Sequence, residues 1–297
     1  MVAGKFEILV ILREVGDPRP PARTITRGAG IDERGLRRLP NPADLAALEE
    51  ALRLKDRLGA TVTVLAVGPE RLEDSLRLAF SLGADRGIRF WDHGLEGGDA
   101  VAEARLLARI TAILAPTLVL TGNRLADRGD DPVPALAAAR NGAPCIAAAV
   151  SLKPVTGGVE VLRKGDRGSR QTVTASFPCT VLFEEGSTPR YPDVDAVLAS
   201  LTAPIERWHL PELGLPFWEV GSLGAALPLA RVGTPRPDPV RAVTPDPSLP
   251  AFERILSLLS GGIAAREGRV EDLALDDTVE ALWTLFREEG LIPEASA

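Results

Sequence analysis

The residues best suited to chemistry lie in one polar stretch, Asn123 to Val133, where Asp127, Asp130 and Asp131 are interspersed with Arg124 and Arg128. Before it, Thr117 to Thr121 is a short run of leucine and β-branched residues that suits a strand covered on both faces, broken at Gly122. After it, Pro134 to Arg140 restarts as an alanine-rich helix. In an open α/β sheet, ligands sit in the crevice outside the carboxyl end of such a strand, and a helix N-terminus there favours an anion. The charges of the loop oppose this. Three aspartates put negative charge where a phosphate needs positive, and two arginines offset only part of it. A solvated loop that ends one strand and caps one helix accounts for the stretch equally well.

Other chemistries find few residues to work with. Cys145 and Cys179 are far apart and outside any CxxC spacing, which predicts buried thiols and neither a disulfide nor a metal site. The two histidines, His93 and His209, form no local pairing with a serine or a carboxylate, so no catalytic residue is assigned. Neither GxGxxG nor GxxxxGK[ST] occurs, which argues against a nucleotide hydrolase or synthase. A net charge of −7 and a pI near 5.1 exclude nucleic acid as the main partner. The opening apolar run MVAGKFEILVIL is too short to span a bilayer and has no small-residue cleavage site after it. It is expected to be a first strand, in a cytoplasmic protein with no membrane insertion.

The elements that must carry the loop follow an α/β alternation. Phe6 to Leu12 reads as a buried strand, and Arg13 to Pro40 as a long loop with room for a small hairpin. Asn41 as N-cap, Pro42 at the first helical position and Asp44 in the first turn start a helix that Gly59 closes, with Leu45, Leu48, Leu52, Leu54 and Leu58 on its apolar face. Thr61 to Val67, Gly87 to Trp91 and Leu118 to Thr121 are further strands, separated by helices at Glu70 to Leu82 and Asp99 to Leu114. Such spacing implies right-handed crossovers and a doubly wound, mostly parallel sheet. From Pro144 to Phe183, four short β-prone segments separated by Gly/Pro turns predict antiparallel strands appended to one edge. A helix over Asp193 to Leu201 follows. The expected organisation is an α/β domain over 1–203, a proline-rich, partner-embracing arm over 204–250 and a small helical extension over 251–297. In the arm, Trp208, Phe217 and Trp218 are expected to dock on another surface.

Several segments, in order, resemble the beta subunit of electron transfer flavoproteins: NPADLAALEEALRLKD (Asn41 to Asp56), SLGADRGIRF (Ser81 to Phe90), LVLTG (Leu118 to Gly122) and STPRYPDVDAVLAS (Ser187 to Ser200). IERWHLPELGLP and ARVGTP resemble the C-terminal arm of that family. The resemblance implies an electron carrier and not a substrate-converting enzyme. It implies a heterodimer with an alpha subunit that holds a redox-active FAD, a flavin dehydrogenase as donor, and a quinone oxidoreductase or other acceptor. The family's beta subunit is a doubly wound domain that binds AMP, or a second FAD in electron-bifurcating members. By position, that pocket would draw here on Ile11, Asn41, Val67, Gly122, Asn123, Arg124, Asp127, Asp131 and Val133, and partner docking on Gly186, Ser187, Pro189, Arg190 and Tyr191.

Three departures shape the expectation, one being LASLTAPIE in place of the lysine-rich segment that often follows the family's docking loop. Where the family has Gln, then Thr or Val, then Gly at the phosphate end of the loop, this chain has Pro132, Val133 and Pro134, and a proline has no amide to donate. AMP or a second FAD is therefore expected to bind the beta pocket weakly or not at all, leaving the FAD held with the alpha subunit. In the docking loop, Gly186 stands where the family tends to place a leucine. The other reading is a nucleotide-binding regulatory or scaffold subunit with the same fold and no direct redox role.

Overall fold

The computed structural model describes residues 6–17, 26–27, 30–31, 37–227, 245–259 and 273–288. The chain divides into two compact units, 1–234 and 235–297. Within the first unit, strands β1 (Glu7–Ile11), β2 (Glu14–Gly16) and β3 (Arg38–Pro40) lead to helix α1 (Pro42–Leu58), then β4 (Thr61–Val67), α2 (Glu73–Leu82), β5 (Arg86–Phe90), α3 (Ala100–Leu114), β6 (Leu118–Gly122) and α4 (Val133–Arg140). Next come β7 (Cys145–Val155), β8 (Gly158–Lys164), β9 (Arg170–Ser176), β10 (Cys179–Phe183), α5 (Val194–Ser200), β11 (Ile205–Trp208) and the single-turn α6 (Leu210–Leu213). The second unit contains α7 (Ala251–Leu259) and α8 (Leu275–Glu288).

Nine strands form one sheet in the order β9-β8-β7-β10-β6-β1-β4-β5-β11. The seven strands from β7 to β11 along that order are parallel, and β8 alone runs the other way, pairing antiparallel with both β7 and β9. The mostly parallel, doubly wound α/β class is as the sequence predicts. Of the four segments read as appended antiparallel strands, the outer two, β7 and β10, belong to the parallel core. The hairpin β8–β9 lies between them in the chain and takes the place of a crossover helix. Residues 14–16 and 38–40 pair across the long N-terminal loop, and 26–27 pair with 30–31, so hairpins do form there.

Because both faces of β1 are covered, its side chains alternate between two cores. Ile8, Val10 and Leu12 pack with Leu48, Leu52 and Leu54 of α1 and Leu76 of α2. Leu9 and Ile11 pack with Leu106, Leu107 and Ile110 of α3 and Ala137 of α4. Helix α1 starts at Pro42, after the N-cap residue Asn41, and stops at Gly59, whose left-handed backbone (φ 67°) lets its amide bond Lys55 O. Of its expected apolar face, Leu48, Leu52 and Leu54 are buried with Ala47 and Ala51, Leu45 is half-buried against the same core, and only Leu58, in the last turn, is 50% exposed. Residues 205–213, read as part of an extended arm, add β11 to the edge of β5 and bury Leu210 and Leu213. Trp208 packs against the same core, while Phe217 and Trp218 are each about 60% exposed, edge to face with one another. No helix among the described residues is long and apolar enough to cross a membrane.

One charged cluster ties the β5 edge together. Arg89 of β5 is buried because Glu73, in the first turn of α2, accepts its Nε at 2.9 Å. Arg207 of β11 adds two bonds to the same carboxylate, at 2.8 and 2.9 Å. Arg207 first, then Arg89, holds the Glu73 carboxyl down from 4.5 to about 2. A carboxylate with a lowered folded-state value stabilises fully above its unfolded value and loses that contribution as pH falls through the folded one. Urea midpoints of the native chain should therefore fall between about pH 4.5 and 2, and Glu73→Gln should flatten that decline while lowering stability at neutral pH. Parallel pH profiles for the two proteins would show the cluster to be inert.

Candidate functional site

β1 is the point where the winding reverses, because the chain builds β4 and β5 on one side of it and then crosses to β6 on the other. A crevice is expected at the carboxyl ends there. A cavity of about 540 Å³ occupies it, with Ile11, Val67, Trp91, Leu107, Asp131 and Val133 in its walls. Ile11 and Val67 lie there because they end β1 and β4.

Arg13 organises one end of this crevice. It follows the apolar strand by two residues, and its guanidinium binds Asp44 through Nε at 3.0 Å and Nη2 at 2.6 Å, and Gly122 O at 2.8 Å. Its Nη1 donates to Asp131 Oδ2. The Asp44 side chain has no exposure. It accepts in addition the Arg13 and Gly122 amides at 2.8 and 2.6 Å and the Thr121 hydroxyl at 3.0 Å. A fully desolvated carboxylate is tolerable only with such a complete set of donors. The result is a joint between the ends of β1 and β6 and the start of α1. Gly122 is required in it: a Cβ there would come within 2.6 Å of Ala43 Cβ and 2.7 Å of Asp44 Oδ1.

The polar loop after β6 is pinned from several directions. Asn41 is buried at the α1 start yet makes no side-chain cap. Its Nδ2 donates to Arg124 O at 2.9 Å, and its Oδ1 accepts the Ala126 amide at 3.2 Å. The expected cap is lost because the loop claims both ends of the amide. Asp127 accepts the Gly16 amide at 2.8 Å and so ties the loop to β2. Asn123 turns away from the cavity, donating to Glu184 at 2.8 Å and accepting the Ala148 amide at 3.3 Å. Arg124 points outward, 4.0 Å from the exposed Asp130. Asp131 lies just before Pro132, the N-cap of α4, its Oδ1 accepting the Val133 amide at 3.0 Å while Oδ2 takes Arg13. Of the residues expected at the pocket, the structure thus gathers Ile11, Val67, Asp131 and Val133 on the cavity wall. Gly122, Asn41 and Asp127 act as supports, and Asn123 and Arg124 face elsewhere.

The sequence reading missed Arg13 and Asp44 as a pair, although an arginine just past a wholly apolar strand and an aspartate in a first helical turn were both visible. Among the described residues no cluster of His, Cys, Asp and Glu could hold a metal ion.

On the α1 side, the loop expected to dock partners is clamped by Arg190. Its side chain binds Glu49 at 3.0 and 3.2 Å and Asp56 at 3.0 Å, its amide adds a bond to Glu49 at 3.0 Å, and Ser187 donates to Glu50 at 3.2 Å. Glu49 and Glu50 are buried by this arrangement. Tyr191 is left 95% exposed, next in sequence to the exposed Val194, Leu198 and Leu201 on and just after α5. Around Gly186 there is open space.

Comparison with known proteins agrees with this architecture. The model of the electron transfer flavoprotein domain matches residues 29–213, more than half of the chain. The electron transfer flavoprotein subunit beta of Methylophilus methylotrophus is 29% identical over 232 residues, covering 76% of this chain and 87% of the relative. Protein FixA of Sinorhizobium fredii (strain NBRC 101917 / NGR234) is 29% identical over 281 residues, covering 90% and 96%. Protein FixA of Azotobacter vinelandii is 30% identical over 221 residues, covering 71% and 78%. With the Val67 to Val133 part of the crevice wall, the polar loop after β6 and the Pro189-Arg190-Tyr191 segment inside the matched region, the chain belongs to the electron transfer flavoprotein beta-subunit family.

Proposed function

We propose that this chain is the beta subunit of a two-chain, cytoplasmic electron carrier. It pairs with an FAD-bearing alpha subunit and moves electrons from a flavin dehydrogenase to a quinone oxidoreductase or other acceptor, without itself converting a substrate. The observation that carries this reading is the family match over residues 29–213, which takes in the polar loop after β6 and the Arg190-clamped loop. FAD, held with the alpha subunit, supplies the redox chemistry. This chain's residues supply surface. Phe217 and Trp218 are apolar groups facing outward, of the kind a permanent partner covers. Arg190 fixes the loop that offers Tyr191 and the α5 side chains to a second partner. The docking residues of this reading are Gly186, Ser187, Pro189, Arg190 and Tyr191.

The open space at Gly186 favours a second reading, a regulatory or scaffold subunit that engages no dehydrogenase through this loop. Co-expression with the alpha chain separates the two. The expected result is a 1:1 complex with one FAD, reduced by a flavin dehydrogenase and reoxidised by an acceptor. A complex that pairs but is never reduced favours the scaffold, and a monodisperse chain that ignores the alpha subunit overturns both.

A further inference from the structure

The crevice should present an anion with two donors, the amide that opens α4 and the guanidinium of Arg13, since both lie where a helix N-terminus meets the switch point of the sheet. Both donors are already engaged. The Val133 amide is bound to Asp131 Oδ1 at 3.0 Å, and Arg13 Nη1 is bound to Asp131 Oδ2. The remaining guanidinium bonds go to Asp44 and Gly122 O. Pro132 and Pro134, on either side of Val133, add no further amides. The Asp131 side chain is only 9% exposed, so it is built into the site and is not a surface charge hovering near it.

We infer that Asp131 is a tethered anion that fills the phosphate position of the crevice, so that this beta subunit excludes phosphorylated adenine nucleotides by occupation. The loop charges alone suggest exclusion by repulsion, and the geometry adds a second cause. Asp131 is ion-paired to Arg13, whose charge it shares with Asp44, while Asp130 is 92% exposed at its side chain, where water screens it. An incoming phosphate must first displace charge-assisted bonds to a carboxylate already held in place, although Arg71 and Arg128 also line the cavity. Removing the carboxylate while keeping the fold should free the Val133 amide and one arm of Arg13, and so convert the crevice into a phosphate site. The remainder of Arg13 stays anchored on Asp44, which keeps the donor aimed.

This inference deepens the electron-carrier reading and rests on it for the identity of the complex, but its test is separable. The purified heterodimer is acid-denatured and its nucleotides are counted, then native and Asp131→Ala proteins are titrated calorimetrically with AMP and with adenosine. The expected outcome is one FAD and no AMP in the native complex. The variant should gain at least tenfold in AMP affinity, with no comparable gain for adenosine. Stoichiometric AMP or a second FAD in the native complex overturns the inference. So does an Asp131→Ala protein that retains its FAD and its cooperative melt yet gains nothing for AMP, or gains equally for adenosine. Should Asp131→Ala not fold, Asp131→Ser retains a cap for Val133 while releasing Arg13, and the same comparison applies. If no FAD-bearing partner is ever recovered, the functional reading fails, while the AMP titration of the full-length chain still decides the role of Asp131.

Discussion

Arg13→Met should cost the fold about 3–5 kcal/mol, the range for removing one partner of a buried ion pair. The reason is what it leaves behind. Asp44 has no exposure and relies on Arg13 for both a counter-charge and two of its side-chain bonds, and Asp131 loses the same counter-charge. Thr121 and the Gly122 amide still satisfy Asp44 Oδ1, but neutral donors do not offset a buried charge. Against a total stability of about 5–15 kcal/mol, this is a large fraction, and the chain should unfold at clearly lower urea. Adding Asp44→Asn to Arg13→Met should recover part of the loss, because the fully buried charge of Asp44 is then gone and only Asp131 is left without its counter-charge. Urea midpoints of the three proteins at neutral pH measure it. An unchanged midpoint in Arg13→Met, or a double variant weaker than the single, would falsify the account of Arg13 as the joint of the crevice.

What could be read from the sequence was whatever depends on near neighbours. Asn41, Pro42 and Gly59 marked the ends of α1, and Gly122 and Gly83 marked breaks after β6 and α2, because capping and turn chemistry act over a few residues. The family resemblance implied Ile11 and Val67 at the pocket, and they reach the crevice because they end β1 and β4. Choices among distant partners left no local trace. Arg13 binds carboxylates 31 and 118 residues away, and nothing near Arg13 says which aspartates it will meet. Asn41 carried a clear cap signal and yet served the loop 83 to 85 residues on, a tertiary contact overriding a local preference. Strand direction beyond β6 was hidden for a related reason. Parallel β7 and β10 are joined through the β8–β9 hairpin, so the helical period that normally announces a parallel crossover is missing.

A chain ending at Pro204 should fail to fold stably, whereas one ending at Pro250 should keep the melting behaviour of the first unit. The shorter chain loses β11, which lies parallel along β5 from Ile205↔Gly87 to Trp208↔Phe90, and so leaves the backbone groups of that edge unpaired. It also loses Leu210, Leu213 and Val220, which are between 0 and 8% exposed in the core shared with α3. At about 2 kcal/mol for each buried side chain, their removal costs about 6 kcal/mol, comparable to the whole stability of a domain. Two ion pairs go with them, Arg207 to Glu73 and Arg86 to Glu206, so Arg89 and Glu73 lose the strand that covers them. The longer chain retains every described buried apolar residue of the first unit, the last of which in sequence is Val220. The expectation is therefore stronger than impaired pairing with an alpha subunit: the first truncation should appear in inclusion bodies or as an aggregate, and the second as a paired, cooperatively melting protein. Co-expression of each with the alpha chain, followed by size exclusion and a thermal melt, makes the comparison. A 1–204 protein that is monodisperse and melts within a few degrees of 1–250 would mean that β11 and α6 are an accessory of the sheet and not part of its core.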